Sequence, residues 1–386
     1  MKKWPTQKLE QLTTKIGSGA TPRGGQNGYV EAGVSLIRSQ NILDNGMNIA
    51  EIAHITDEAA HKLRGVTVQA NDVLINITGD SIARCSIVDE RVLPARVNQH
   101  VSILRTTAEL DPLFLQKFLV TPGTKNLLMA ISSGGTRQAL TRSDLANLSV
   151  PVPPISEQRA IAEVLGALDD KIAANNACIR LIDEHLAAEY ERSLQQEKIV
   201  EELGVIAEFH NKRRIPLSAK QRDERPGAVP YYGASGVFGY VDEALFDEPL
   251  VLVGEDGSVI NADGTPVTQY IWGPSWVNNH AHALKGKVVS TELLYYAIRR
   301  SQVSTLVTGA VQPKINMGNL KRLQLSLPAL ESRTSMETIV AAEVAAKRAF
   351  TTENRTLTAT RDALLPQLMS GKMRVRDAEA VVEDVL

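Results

Sequence analysis

The sequence predicts an α+β protein built as two tandem domains, related by a pseudo-two-fold axis and separated by two long antiparallel coiled-coil helices. Three observations carry this expectation. A heptad-spaced run follows the prolines at 151–154, short strand-like runs mix with a few helices on either side of it, and the order of these events recurs about 180 residues later.

The heptad run is the most regular element. Ile161, Leu165, Leu168, Ile172, Asn175, Ile179, Ile182 and Leu186 step by four and three in alternation, the 3.5-residue period of a helix that lies along another helix. Residues 156–202 contain no proline and one glycine, Gly166. About 45 residues at 1.5 Å each make a rod of roughly 65 Å, so a second helix is expected along it.

In front of the rod, 1–155 reads as the first domain. Leu9-Glu10-Gln11-Leu12 precedes a stretch from Gly17 to Gly25 whose glycines and proline disfavour regular structure. Val34 to Ile37, Val73 to Ile77, Ser86 to Val88 and Val97 to Leu104 have strand character, and a helix is expected from Pro112 to about Val120. Mixed short strands and helices of this kind define an α+β domain.

The second domain, 203–330, repeats the first. Val97-Asn98-Gln99-His100 returns as Val277-Asn278-Asn279-His280, and Leu113-Phe114-Leu115 as Leu293-Leu294-Tyr295. Ser133 to Leu140 matches Thr308 to Ile315, and each copy then passes a proline into a long helix. The second long helix, 331–371, is less regular. Met336, Val340, Phe350, Leu357, Leu364 and Leu368 share one seam, but Glu343, Lys347 and Arg361 interrupt it and Pro366 is expected to kink or end it. Gly371 is a natural stop, and 372–386 is expected to be a frayed tail.

Composition narrows the function. With 386 residues and 43% apolar content the chain can fill two cores of ordinary domain size. There is no run of eighteen apolar residues and no apolar signal core after Met1, so a cytoplasmic protein is expected. Cys85 and Cys178 carry no metal spacing and read as free thiols. The net charge of −2 hides an uneven distribution: +3 over 1–155, −6 over 156–202, +2 over 203–330 and −1 over 331–386. Small basic offsets on the two domains permit nucleic-acid binding, and solvated surfaces alone also produce them.

Catalytic motifs are missing. Gly233 to Gly239 has the wrong glycine spacing for a dinucleotide turn, no phosphate-loop pattern occurs, and there is no Asn/Asp-Pro-Pro-aromatic motif for amino-group methylation. His280 and His282 share a face if they lie on a strand, so a metal pair is conceivable, but Ser102 replaces the second histidine in the first copy. A hydrogen-bonded histidine holding a neighbouring loop is the simpler account. Glu255, Asp256 and Asp263 read as solvated turns rather than a nuclease cluster.

Three stretches, taken together on this duplicated frame, resemble the DNA-specificity subunit of Type I restriction-modification enzymes: Pro151 to Asp170, Pro230 to Asp242 with Gly254 to Gly257 and Asn278 to His282, and Arg361 to Val375. The resemblance covers nearly the whole chain. It implies a protein with no catalysis of its own, whose two target-recognition domains each read half of a bipartite site in double-stranded DNA and whose helices set the gap between the halves. It also implies two methyltransferase subunits and restriction/translocase subunits as partners, with S-adenosylmethionine and ATP bound by those partners and no cofactor or metal on this chain.

The family does not assign bases, so candidate DNA contacts rest on residue chemistry: forked donors and amides for base edges, lysines and hydroxyls for phosphates. In the first domain these are Ser18, Thr21, Arg23, Arg38, Gln40, Asn41, Arg84, Arg137 and Gln138, and in the second Lys212, Arg213, Arg214, Tyr231, Tyr232, Ser235, Gln312 and Lys314. Two rivals remain at this stage, a coiled-coil adaptor with two domains that do not bind DNA, and a self-contained DNA methyltransferase or restriction enzyme.

Overall fold

A computed structural model describes residues 4–22, 28–132, 138–309 and 312–386. The chain divides into two compact units, Met1–Asn175 with Thr352–Leu386, and Asn176–Thr351. The division cuts through both long helices rather than at their junctions with the domains.

In the first unit a ribbon pairs Thr6–Lys8 antiparallel with Ser149–Pro151, bringing the two ends of the domain together. A four-stranded antiparallel sheet follows in the order Thr13–Ser18, Val101–Thr106, Val73–Asn76, Cys85–Ile87. The strand at 73–76 is buried at every position, which is why it reads as continuous Val-Leu-Ile rather than alternating. A second sheet has the order Ala95–Val97, Val34–Ile37, Ala53–Ile55, Tyr29–Val30, with the first pair parallel. The single strand expected from 97 to 104 is therefore two strands in different sheets. Asn98 interrupts it, because its Oδ1 accepts from the backbone N–H of His100 at 3.0 Å and turns the chain. Gly17 and Ser18, expected in a loop, complete the strand that begins at Thr13; residues 23–25 of that loop lie outside the described residues.

The helix Pro112–Leu119 starts where its sequence dictates. Asp111 caps it by accepting from the amides of Leu113 and Phe114, both at 3.0 Å, and proline occupies the first turn. Its Phe114, Leu115 and Leu119 join Leu9, Leu12 and Leu104 in one core. To that core the first long helix, Ile155–Gln196, contributes Ile161, Leu165 and Leu168, and the second, Leu330–Met369, contributes Leu357, Leu364 and Leu368. The heptad seam is thus also a domain core.

The second unit has the same sequence of parts. Lys198–Glu202 pairs with Gln324–Pro328 as the closing ribbon, so 198–202, expected in the spacer helix, belong to the second domain. The antiparallel sheet runs Ala207–Phe209, Ala281–Gly286, Leu250–Gly254, Thr268–Ile271, and the mixed sheet runs Val237–Val241, Val229–Tyr232, Pro274–Val277, Phe246–Asp247. Its helix Thr291–Arg299 is capped by Ser290. Superposing caps shifts the sequence alignment by one residue: Phe114 corresponds to Leu293, and both are fully buried.

The seam charges have partners. In the first unit the helices run antiparallel, since Asp169 meets Arg361 at 2.8 Å while Asn175, six residues on, meets Glu353 at 2.9 Å. In the second unit Asp183 meets Lys347 at 2.7 Å and His185 meets Glu343 at 2.6 Å, again in opposite chain directions. Of the residues that break the apolar period, Lys347 and Arg361 are the cations of interhelical ion pairs and Glu343 bonds to His185 Nδ1 on the facing helix. Phe350 is only half-buried. Pro366 lies inside a helix that continues to Met369, and Gly371 ends it with a positive φ of 66°. The tail is not frayed. Val375–Glu383 is helical, and Ala378 and Val382, one turn apart, are buried in the first core.

Candidate DNA-reading loops

In the first unit the ends of several strands and their loops enclose a cleft of about 690 Å³. Asn76 holds two of its lips together. Fully buried at the end of its strand, it donates from Nδ2 to Ser39 O at 2.9 Å and Ser81 Oγ at 3.0 Å. This residue was not among the sequence candidates; its one signal is an asparagine closing an otherwise apolar strand. Thr78 and His100 are hydrogen-bonded to each other at the cleft wall.

Around this cleft the candidates divide. Gln40, Arg84 and Gln138 line it with exposed side chains. Ala83, held at a φ of 66°, precedes Arg84 in the turn that presents it. Ser18 is exposed at its strand end, and Thr21 bonds to Gln99. Arg38 is half-buried: it donates to Glu51 O at 2.9 Å and its guanidinium carbon lies 5.5 Å from the centre of the Tyr29 ring. Asn41 is fully buried and spent internally, donating to Asn48 O at 3.0 Å and accepting from the Arg38 amide at 2.9 Å. It shapes the loop and has no free edge. Arg23 and Arg137 lie outside the described residues.

In the second unit the basic triplet is mostly neutralised. Arg213 pairs with Glu248 at 2.7 Å and packs 4.2 Å from the centre of the Phe246 ring. Lys285 and then Arg213, hydrogen-bonding Glu248, hold its carboxyl below the ordinary value. Arg214 pairs with Glu255 at 2.7 Å and donates to Ala281 O at 2.6 Å. Lys212 is exposed. Tyr231 is buried, its hydroxyl accepting from the Leu217 amide at 2.8 Å, while Tyr232 is half-buried and Ser235 exposed. Gln312 and Lys314 are exposed on a loop that turns at Gly309, whose φ is 88°.

Neither histidine of the second copy is arranged as a metal ligand pair. His280 bonds through Nδ1 to Asp256, while fully buried His282 bonds through Nδ1 to Asn211 at 2.8 Å and through Nε2 to Ile315 O at 2.8 Å. Burial holds the His282 pKa below its ordinary value. The turn repeats the first copy: Asn278 Oδ1 accepts from the His280 amide at 2.8 Å, as Asn98 does from His100.

The chain is thus a duplicated α+β protein, each copy presenting polar loops at its strand ends and each followed by a long helix. Comparison with known proteins identifies the kind. The family model described as "Type I restriction modification DNA specificity domain" matches residues 1–183 and 197–340, and the chain belongs to that family. The Escherichia coli EcoBI type I restriction enzyme specificity subunit is 32% identical over 160 residues, covering 39% of this chain and 33% of that one. This chain spans about a third of the length of the first curated relatives it matches. The crystal structure of the S subunit of a type I restriction-modification system from M. genitalium aligns with a TM-score of 0.62 and 19% identity, covering 95% of this chain and 96% of that one, which shows the fold. Among the described residues no helix is long and apolar enough to cross a membrane.

Proposed function

We propose that the chain is the non-catalytic specificity subunit of a Type I restriction-modification enzyme, with each domain reading one half of a bipartite site in double-stranded DNA. The repeated loop frame supports this reading most directly: an Asn-x-His turn anchors a strand-end loop in each unit, and the family model covers both copies. A protein with two readers addresses two half-sites, and the separation of the readers dictates that of the sites. In the first domain Gln40, Arg84 and Gln138 are the base-edge candidates, with Ser18 and Thr21 for phosphates. In the second, Gln312 and Ser235 face bases and Lys212 and Lys314 phosphates. Methyltransferase subunits carrying S-adenosylmethionine and ATP-dependent restriction/translocase subunits supply the chemistry on this frame.

The test is an exchange of residues 1–155 for the matching stretch of a relative with different specificity, followed by mapping of methylated adenines in cells supplying the methyltransferase subunit. One half of the modified sequence changes and the other stays. A change in both halves, or no modification by the parent complex, refutes the reading.

A further inference from the structure

The two units hold their reading loops by the same backbone bonds but with different side chains. In the first, Ile77 N donates to His100 O at 3.0 Å and Leu140 N donates to Ile77 O at 2.8 Å. In the second, Glu255 N donates to His280 O at 2.8 Å and Ile315 N donates to Glu255 O at 2.9 Å. Isolated bridges pair Thr78 with Ala139 and Asp256 with Lys314. Glu255 therefore stands where the first unit has Ile77, and His282 stands where it has Ser102. The first loop rests on an apolar and a hydroxyl side chain, the second on a half-buried glutamate and a buried histidine.

We propose that His282 is a positioning residue for the second reading loop, holding the backbone behind Gln312 and Lys314 in register through a neutral imidazole. This rests on the DNA-reading function proposed above. The hydrogen bonds fix the tautomer. Asn211 Oδ1 accepts from the Ala283 amide at 3.1 Å, so its Nδ2 is the group that donates to His282 Nδ1. Nδ1 is then the unprotonated nitrogen, and Nε2–H donates to Ile315 O. Only the neutral ring with its proton on Nε2 satisfies both neighbours.

The charges around the ring oppose one another. Burial is the largest influence and favours the neutral ring; the bond to Ile315 O and Glu255, with an oxygen 3.5 Å from Nδ1, favour a second proton, and Arg214 and Lys314 disfavour it. Glu255 is itself occupied by Arg214 at 2.7 Å and has Lys314 at 3.9 Å. The Nε2–H bond to Ile315 O ties the strand through His282 to the loop one residue from Lys314. The first unit has no such tie, because Ser102 stands in that place.

The experiment selects bound sequences from a random duplex library, using the full chain assembled with its methyltransferase partner, and compares wild type, His282→Gln and His282→Leu at pH 7.5. Glutamine retains a donor for Ile315 O and cannot be charged; leucine has no donor. At pH 7.5 His282→Leu loses preference in the second half-site by about tenfold, as expected for one unsatisfied buried group, and keeps it in the first, while His282→Gln keeps both. Equal loss in both halves by the leucine variant, unchanged second-half preference in it, or a glutamine variant that loses second-half preference as the leucine variant does, overturns the proposal. A wild-type complex that selects no half-site refutes the DNA-reading function itself.

Discussion

Replacing Asp169 by asparagine tests what fastens the long helices to the first domain. Asp169 accepts at one oxygen from Lys117, on the domain helix Pro112–Leu119, and at the other from Arg361, on the second long helix, at 2.8 Å. The Lys117 side chain is 4% exposed and the Asp169 side chain 12% exposed. Asparagine keeps the shape but removes the charge and turns an NH2 towards one of two cationic donors. Lys117 is left with Asn45 Oδ1 at 3.3 Å, whereas Arg361 retains Asp362 at 2.8 Å. Stranding a buried charge in this way costs about 3–5 kcal/mol. For a unit of about 210 residues, at roughly 2–4 °C per kcal/mol, its transition in calorimetry falls by roughly 6–20 °C. Adding Lys117→Met removes the stranded ammonium, and the double variant recovers most of that loss. A single-variant loss below about 1 kcal/mol, or a double variant that simply adds the two single costs, would show that the cluster does not clamp these elements.

Gln158 carries a second prediction. Fully buried at the start of the first long helix, it accepts from the Asp111 amide at 2.8 Å and donates to Glu109 O at 3.0 Å and Pro153 O at 2.9 Å. Gln158→Leu leaves these groups unpaired at about 1–3 kcal/mol each, visible as a lower urea midpoint; an unchanged midpoint contradicts it. Gly309→Ala addresses the second loop, because its Cβ would lie 2.4 Å from Gln312 O at a φ of 88°. The substitution displaces Gln312 and weakens second-half selection in the library assay while the melting of the first unit stays unchanged. A first-half defect would count against loop-local action.

Periodicity and duplication were legible because both are written locally. The seam from Ile161 to Leu186 and the repeated Asn-x-His sequence need no knowledge of distant residues; the seam holds in the structure, whereas the repeat turns the chain where one strand was expected. Which polar residues face outward was not legible. Arg214, Asn41 and Tyr231 have the chemistry of DNA readers, yet their donors and acceptors are taken inside the fold. A sequence shows what a side chain can bond to, not whether another chain segment has already satisfied it.

The sequence by itself determined two domains of one ancestry, each with a long amphipathic helix, since a heptad and a repeat are properties of neighbouring positions. Tertiary structure alone decided that Glu343, Lys347 and Arg361 complete the seam through polar partners on the facing helix, that Ala378 and Val382 close the first core, and that the two strand-end loops rest on chemically different supports. Those outcomes depend on burial and on partners as far apart as Asp169 and Arg361, 192 residues along the chain, and the free energy of a polar group is set by the partner it meets.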